Sequence, residues 1–229
     1  MAWSALGNWL SRLNPLNWER EFTEYFSAGE ADADGLEQEL LEVEAAGSLF
    51  QKLALDCRHF GGYDCGGAAL WMLRETTAEV VVVESASERL ERFAERLESA
   101  EFTEVANRAR LVTCDISGFG SWSELVSAEQ RQRVGDYLAA PWKYRLGQPD
   151  LLLIAGRFRV ACFLYALLQA EPGTRILFVG FRDQIKYHVA EEFTPVAEWC
   201  GENALFIVPE QVDRPQVEAA LVSYSAAAD

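Results

Sequence analysis

The chain has little lysine, and this shortage together with its acidity narrows what the protein can bind. Its 229 residues include 36 acidic and 20 basic side chains, for a formal net charge of -16. Only Lys52, Lys143 and Lys186 are lysines, so the basic side chains are nearly all arginines. A strongly negative field repels phosphate backbones and anionic lipids, so neither nucleic acid nor an acidic membrane surface is expected as a partner.

Histidine, paired cysteine and long apolar runs are also scarce. His59 and His188 are the two histidines, and the cysteines are odd in number with no zinc-ligand spacing: Cys57, Cys65, Cys114, Cys162 and Cys200. We therefore expect no metal at the site and reduced thiols in a cytoplasmic protein. No segment approaches the roughly 18 consecutive apolar residues of a membrane span.

The start of the chain differs in composition from the rest. Residues 1–35 place apolar side chains at helical spacing and end in a small, acidic segment bracketed by Gly29 and Gly35, which is typical of a linker. This pattern predicts a short helical N-terminal extension that packs on the core or joins two copies into a homo-oligomer. Residues 36–229 are predicted to form one further domain.

From residue 36 onward, predicted helices and strands alternate. The clearest strand is residues 79–83, a β-branched run typical of burial on both faces. A first, short extended segment is predicted before it at about 57–63, and further strands at 110–114, 150–154, 174–179 and 204–208. Such alternation predicts an α/β fold: a Rossmann-like, doubly wound, mostly parallel sheet with helices on both faces.

The connections between these strands complete the prediction. Ser87 is expected to cap the helix that follows the second strand. Residues 116–148 are predicted to be a long irregular excursion. A single helix is predicted over residues 184–200.

Three chain segments point to a nucleoside-binding edge. The turn Asp64, Cys65, Gly66 and Gly67 precedes a predicted helix, as in folds whose backbone approaches a cofactor. Glu84 ends the second strand about twenty residues later, where a carboxylate can accept hydrogen bonds from ribose hydroxyls. Asp115 ends the third strand, where an adenine amino group could be bound.

The junction after the strand 150–154 is a second candidate site. The strand ends at Ala155–Gly156, and Arg157 and Arg159 open the next helix. Guanidinium groups match carboxylate or phosphate geometry, so these arginines could clamp an anionic substrate. The alternative is that they pair with the abundant acidic side chains.

On these residues the chain resembles the class I S-adenosylmethionine (SAM)-dependent methyltransferases. It looks most like a bacterial methyltransferase-like group in which a strand ends in the motif DGRFRVA. The resemblance covers about residues 55–210 and is most specific at 156–162 (GRFRVAC) and 186–193 (KYHVAEEF). It implies SAM bound by Asp64, Cys65, Gly66, Gly67, Glu84 and Asp115.

The same resemblance implies an acceptor side of the site. His188, Tyr187 and Arg157 would be the catalytic residues, with His188 serving as a general base near neutral pH. Arg157, Arg159 and Lys186 would bind the substrate.

The chain also departs from the family pattern. The family loop is acid–X–Gly–X–Gly, and this chain is one glycine position short unless Asp64 replaces the first glycine and Gly62 the acid. In that second register, the Asp64 carboxylate would crowd and repel the methionine carboxylate. Ala155 stands where the group has aspartate, and Val179–Gly180–Phe181 where it carries an acid pair or His–Asp.

Two functions follow. The first is a SAM-dependent methyltransferase-like protein that methylates a small anionic or sugar-like acceptor. The second is a catalytically inactive protein of the same fold that serves as a binding or assembly partner for another protein.

Overall fold

The computed structural model describes residues 47–116, 127–144 and 147–226. The chain divides into two units, Met1–Gln38 and Glu39–Asp229, and every described residue belongs to the second. The predicted helical extension over residues 1–35 lies outside the described residues. Within the described ranges, no helix is both long and apolar enough to cross a membrane.

Seven strands form one sheet: the six extended segments that the sequence predicts and one more, residues 198–200, inside the predicted helix over residues 184–200. They are β1 (His59–Tyr63), β2 (Glu79–Glu84), β3 (Ala109–Thr113), β4 (Leu151–Ile154), β5 (Arg175–Phe178), β6 (Glu198–Cys200) and β7 (Asn203–Ile207). Their order across the sheet is β3-β2-β1-β4-β5-β7-β6. Strands β1 to β5 pair in parallel, whereas β7 pairs antiparallel with both β5 and β6.

The strand order reverses direction at β1. The chain moves outward from β1 through β2 and β3, and then returns to the other side of β1 for β4 and β5. In open parallel sheets, ligands bind outside the carboxyl ends of the strands at such a switch point. The residues that follow β1, β2 and β4 are therefore those that the fold places nearest to a ligand.

Helices cover both faces of the sheet. Those described are α1 (Gly47–Leu55), α2 (Gly67–Glu75), α3 (Ser87–Leu97), α4 (Ala128–Lys143), α5 (Arg159–Gln169) and α6 (Arg214–Tyr224). The first three helices pack with Val80 and Val82 in one hydrophobic cluster. On the other face, the Phe163 ring of α5 lies 6.1 Å from Phe178 of β5 and 4.8 Å from Phe206 of β7.

The β2 sequence explains why this strand lies in the centre of the fold. Successive side chains of a strand point to opposite faces, so Val80 and Val82 face one helical layer while Val81 and Val83 face the other. All four valines are buried. The β-branched run therefore serves both layers of the core, and β2 carries its last residue, Glu84, to the carboxyl edge.

The predicted helix over residues 184–200 is wrong. The segment instead contains a 3-10 helix, Ile185–Glu192, followed by strand β6. Pro195 accounts for the break, since proline has no backbone N–H and disfavours helical geometry at the residue before it, Thr194. The polar and aromatic residues of β6 then pair with β7.

The predicted cap of α3 is also wrong. Ala86, not Ser87, is the N-cap, and no side chain caps this helix. The Glu84 carboxylate lies two residues earlier and accepts the backbone N–H groups of Ser85 and Ala86. The acid that ends β2 thus fixes the entry to α3.

The predicted irregular excursion over residues 116–148 contains the 16-residue helix α4. Ser127 and Gln130 form a capping box, in which the Ser127 hydroxyl accepts the Gln130 N–H and the Gln130 side chain accepts the Ser127 N–H. Pro141 lies inside this helix near its end. Residues 117–126, the first part of the excursion, lie outside the described residues.

Candidate functional site

Four side chains meet where β1 and β2 end. The Cys65 thiol donates to Glu84 Oε2 at 3.2 Å. Arg89, from the first turn of α3, places its Nη2 atom 2.9 Å from Asp64 Oδ1 and its Nε atom 3.6 Å from Glu84 Oε2. The structure therefore brings together three of the predicted cofactor residues, Asp64, Cys65 and Glu84, and adds Arg89 to them.

Glu84 is the buried acceptor at the centre of this cluster. Its Oε1 accepts the backbone N–H groups of Ser85 at 2.7 Å and Ala86 at 2.9 Å. Burial favours the neutral carboxyl, but the Ala86 N–H, the Arg89 guanidinium and the Cys65 thiol outweigh it, so the pKa of Glu84 lies below its ordinary value. Glu84 is therefore ionised at neutral pH and can accept hydrogen bonds from the hydroxyl groups of a ligand.

Cys65 acts in this cluster as a donor and not as a nucleophile. Its side chain is fully buried. Burial, and then the neighbouring Glu84 and Asp64 charges, raise the pKa of the Cys65 thiol well above its ordinary value. A thiol that stays protonated is a poor nucleophile, so its role is to donate to Glu84.

The same residues could also be considered as metal ligands. One ligand atom each from Asp64, Cys65 and Glu84 lies within 4.8 Å of the others. A cation at their centre would have to displace the Arg89 guanidinium from both carboxylates and remove the Cys65 proton. Among the described residues, hydrogen bonds and ion pairs between Asp64, Cys65, Glu84 and Arg89 already hold these side chains together.

The glycine turn leads directly from this cluster into α2. Gly66 is the N-cap of α2 in an extended conformation, without a capping side chain, and Gly67 is its first residue. Neither residue carries a Cβ, so a ligand can approach the backbone here, and the helix start presents the partial positive charge of its N–H groups. This is the location that the sequence predicted for the turn.

Asp115 has a different environment from the other predicted cofactor residues. It follows β3, its side chain is 64% exposed, and its carboxylate lies 3.3 Å from Arg133 of α4. The two neighbouring strand ends carry the buried cluster, and Asp115 lies on the outer strand beyond them. Its assignment to an adenine group remains a prediction.

The β4 junction is a tight turn packed against β1. An added Cβ on Gly156 would lie 2.5 Å from the Tyr137 hydroxyl oxygen and closer still to the Tyr63 carbonyl oxygen. Phe158 has a left-handed backbone (φ 54°, ψ 39°) and caps α5 with its ring fully buried. Because left-handed geometry is unfavourable for a bulky residue, packing must hold this turn, and such strain is frequent at functional sites.

The two arginines of the junction make different contacts. Arg159 donates from Nε to the Gly156 carbonyl and from Nη1 to the Val179 carbonyl, both at 2.9 Å. Arg157 donates to the Ile116 carbonyl at 3.2 Å. Arg159 thus ties the ends of β4 and β5 together.

The predicted residues of the 3-10 helix separate into two environments. Tyr187 is buried against Phe178, and the cations of Arg159 and Lys186 lie 5.5 Å and 5.1 Å from its ring centre. His188 is stacked on Phe181, and its Nε2 lies 3.0 Å from the Arg182 carbonyl oxygen. A carbonyl can only accept, so in the neutral ring Nε2 carries the proton and Nδ1 is the atom able to act as a base.

The sequence did not single out Arg89, Tyr63 or Tyr137. For Arg89 a signal exists, since a positive side chain in the first turn of a helix works against the helix dipole and needs a reason to be there. Tyr63 and Tyr137 are fully buried with their rings 5.4 Å apart, and the Tyr63 hydroxyl donates to the Leu138 carbonyl. Their pairing depends on how α4 crosses the sheet, which no local pattern reports.

Comparison with known proteins assigns the fold. A methyltransferase-like protein from Silicibacter pomeroyi DSS-3 has a solved structure that is 23% identical, covers 80% of this chain and 94% of its own, and superposes with a TM-score of 0.64. At this identity the likeness establishes the fold alone: the chain shares the Rossmann-like fold of this methyltransferase-like protein. No protein-family model and no curated protein sequence matches the chain.

Two further solved structures match less closely. A methyltransferase from Geobacter sulfurreducens is 12% identical over 90% of this chain and 97% of its own, with a TM-score of 0.45. The N-methyltransferase NodS from Bradyrhizobium japonicum, solved with S-adenosylhomocysteine, is 12% identical over 77% of this chain and 98% of its own, also with a TM-score of 0.45. These superpositions are too loose to support an inference about the site.

Proposed function

We propose that this chain is a SAM-dependent methyltransferase-like protein of the cytoplasm, related to the bacterial group with the DGRFRVA motif. The observation that carries the proposal is Glu84, a buried and ionised carboxylate at the end of β2 beside an uncapped glycine turn. Ribose hydroxyls are donors and need an acceptor of this kind at this position.

The residues present fit most of the cofactor. Glu84 suits the ribose, and Gly66 with Gly67 leaves room for a ligand beside the start of α2. Asp64 is the poorest match, because in the second register of the glycine loop its carboxylate would face the methionine carboxylate. SAM, when bound, would supply an electrophilic methyl group, and the protein would hold an acceptor in line with it and exclude water.

The acceptor side of the proposal rests on the β4 junction and the 3-10 helix. Arg157 and Lys186 would attract a small anionic or sugar-like acceptor, while Arg159 holds the strand ends that shape its site. His188 Nδ1 would take a proton from an acceptor hydroxyl, and Tyr187 would line the same side. Asp115 would meet the adenine.

Isothermal titration calorimetry with SAM and S-adenosylhomocysteine tests the proposal. The wild-type chain should bind with micromolar affinity, and Glu84→Ala should lose at least about tenfold, equivalent to ~1.4 kcal/mol. Glu79→Ala is the matched control, because Glu79 begins the same strand at the opposite edge of the sheet. Absence of binding by the wild-type chain would contradict the proposal.

A second candidate function is that of a catalytically inactive binding or assembly partner. Two observations favour it: Ala155 has no side chain able to act as an acid or base, and two backbone carbonyls occupy Arg159. Under this alternative the working surface includes residues 1–35, through which copies of the chain would associate. Sedimentation of the full chain and of a chain beginning at residue 36 tests it, since the alternative predicts an oligomer that becomes a folded monomer.

A further inference from the structure

Arg89 forms a bridge across the mouth of the proposed cofactor site. It extends from the first turn of α3, and its guanidinium pairs with Asp64 after β1 and with Glu84 at the end of β2. Its side chain is 36% exposed, whereas those of Asp64 and Glu84 are 16% and 7% exposed. The bridge thus joins a partly exposed, flexible side chain to two carboxylates held in the fold.

The two carboxylate oxygens of Glu84 make different contacts. Oε1 accepts the backbone N–H groups of Ser85 and Ala86, which belong to the fixed entry of α3. Oε2 faces the Cys65 thiol at 3.2 Å and Arg89 Nε at 3.6 Å. A ribose hydroxyl that binds Glu84 would approach Oε2, where it meets the Arg89 ion pair.

Of the two donors at Oε2, only Arg89 has room to move. Cys65 is fully buried in the hydrophobic cluster between β1 and α2. Arg89 has a long side chain and contact with solvent. Its second partner, Asp64, can also retain the guanidinium after Glu84 has been released.

We propose that Arg89 competes with the ligand for Glu84 and so sets the affinity of the site for its nucleoside cofactor. The proposal rests on the proposed function, because a ribose is the group that would displace the guanidinium. The Arg89 bridge opens on the Glu84 side when the ligand binds, and the free energy of breaking that contact is subtracted from the free energy of binding.

The test compares Arg89→Met with wild type by isothermal titration calorimetry, using SAM and S-adenosylhomocysteine as probes. Arg89→Met should bind both probes about tenfold more tightly, because the competing guanidinium is gone. A tenfold change corresponds to ~1.4 kcal/mol of binding free energy. Arg96→Met is the matched control. Arg96 lies on the same helix and is 40% exposed, but it pairs with Glu101 outside the site, so its loss should leave the affinity unchanged.

A second measurement needs no variant. S-adenosylhomocysteine carries no net charge at neutral pH, so salt has little effect on its overall attraction to this acidic chain. Raising NaCl screens the partly exposed pair, and the affinity of the wild-type chain for S-adenosylhomocysteine should rise with salt. An affinity that stays constant or falls would overturn the proposal even if Arg89→Met failed to fold.

The outcomes separate the two proposals. If the wild-type chain binds and Arg89→Met binds no more tightly, competition by Arg89 is wrong while the proposed function stands. If Arg89→Met alone binds, competition by Arg89 is supported, but the wild-type chain fails the binding test of the proposed function. If neither protein binds either probe, the proposed function is wrong, and the inference is overturned with it.

Discussion

Gly156 follows β4 beside Tyr63 at the end of β1, and its missing side chain leaves room for that close contact. A Cβ there would collide with the Tyr137 hydroxyl and the Tyr63 carbonyl, and the latter is a backbone atom that cannot swing away. We expect Gly156→Ala to lower the free energy of unfolding by about 3 kcal/mol, as overpacking of a filled core does. Urea unfolding followed by circular dichroism measures the change.

The control for this prediction is Gly135→Ala in the middle of α4. An added Cβ at Gly135 meets nothing within 4 Å. Alanine is the better helix former, so this variant should gain about 1 kcal/mol. Equal stabilities for the two variants would show that the contacts of Gly156 are not those described.

Glu84 makes the stability of the protein depend on pH. Its folded-state pKa is lowered, so its charge adds stability that is present above the ordinary carboxyl pKa of about 4.3 and is lost as the pH falls below it. Glu84→Gln should therefore be less stable than wild type at pH 7, and this difference should shrink on acidification. Urea titrations between pH 7 and pH 3 measure it.

Glu202→Gln provides a control of opposite sign. A hydrogen bond with the Asp183 carboxyl raises the pKa of Glu202, which lies in the turn between β6 and β7. A raised folded-state pKa adds stability that is present at low pH and lost as the pH rises. On acidification, the unfolding free energy of the wild type should therefore rise relative to that of Glu202→Gln, whereas it should fall relative to that of Glu84→Gln. If both differences changed in the same direction, both assignments would be contradicted.

At the residue scale, the sequence predicted where a side chain lies in the fold better than which residues it contacts. Glu84 and the turn at Gly66 were predictable at the carboxyl edge, because a strand that ends there carries its last residue to that edge. The contact between Arg89 and Asp64 joins residues 25 positions apart and depends on how α3 packs. The contacts of Arg159 were likewise not predictable from local sequence, because its two carbonyl partners follow different strands.

Helix α4 packs against β1 and β2, and its capping box defines where it begins. The Ser127 hydroxyl accepts the Gln130 N–H at 3.1 Å. Ser127→Ala removes this acceptor and should cost about 1 kcal/mol of unfolding free energy. Ser127→Asp keeps an acceptor at the N-cap and should be close to wild type, so a loss of the same size in both variants would show that the cap does not stabilise α4.

At the scale of elements, patterns that repeat over several residues were predictable and single interruptions were not. The run at β2 is long, β-branched and followed by an acid, and the strand ends within one residue of its prediction. The sequence analysis did not predict helix α4, although the residues of its capping box can be recognised in the sequence. Pro141 and the aromatic residues of the segment favoured irregular structure instead. The break after Glu192 depends on one proline within an otherwise helical pattern.

At the scale of the whole molecule, the sequence predicted a parallel sheet but not its strand order. The reversal at β1 depends on which side of the sheet each crossover takes, and that choice is made by packing between distant segments. The antiparallel pair β6–β7 turns at Gly201, whose φ of 58° suits glycine. Because the predicted helix extended to residue 200, the sequence analysis did not predict this turn.

The net charge of -16 predicts how the whole molecule responds to salt. Repulsion among excess negative charges favours the expanded, unfolded chain, and 0.1 M salt limits such repulsion to about 10 Å. Salt also weakens attractive pairs such as Arg96–Glu101, but exposed pairs contribute only about 0–1 kcal/mol each.

The screened repulsion should therefore dominate, and raising NaCl from 0.02 to about 0.3 M should raise the urea midpoint of unfolding. Urea is the appropriate denaturant because it is uncharged, whereas guanidinium chloride would itself screen the charges. An equal concentration of sucrose separates screening from a general solute effect, since sucrose carries no charge. A midpoint that falls with NaCl would mean that attractive ion pairs, and not the excess of acids, control the electrostatic stability of the folded chain.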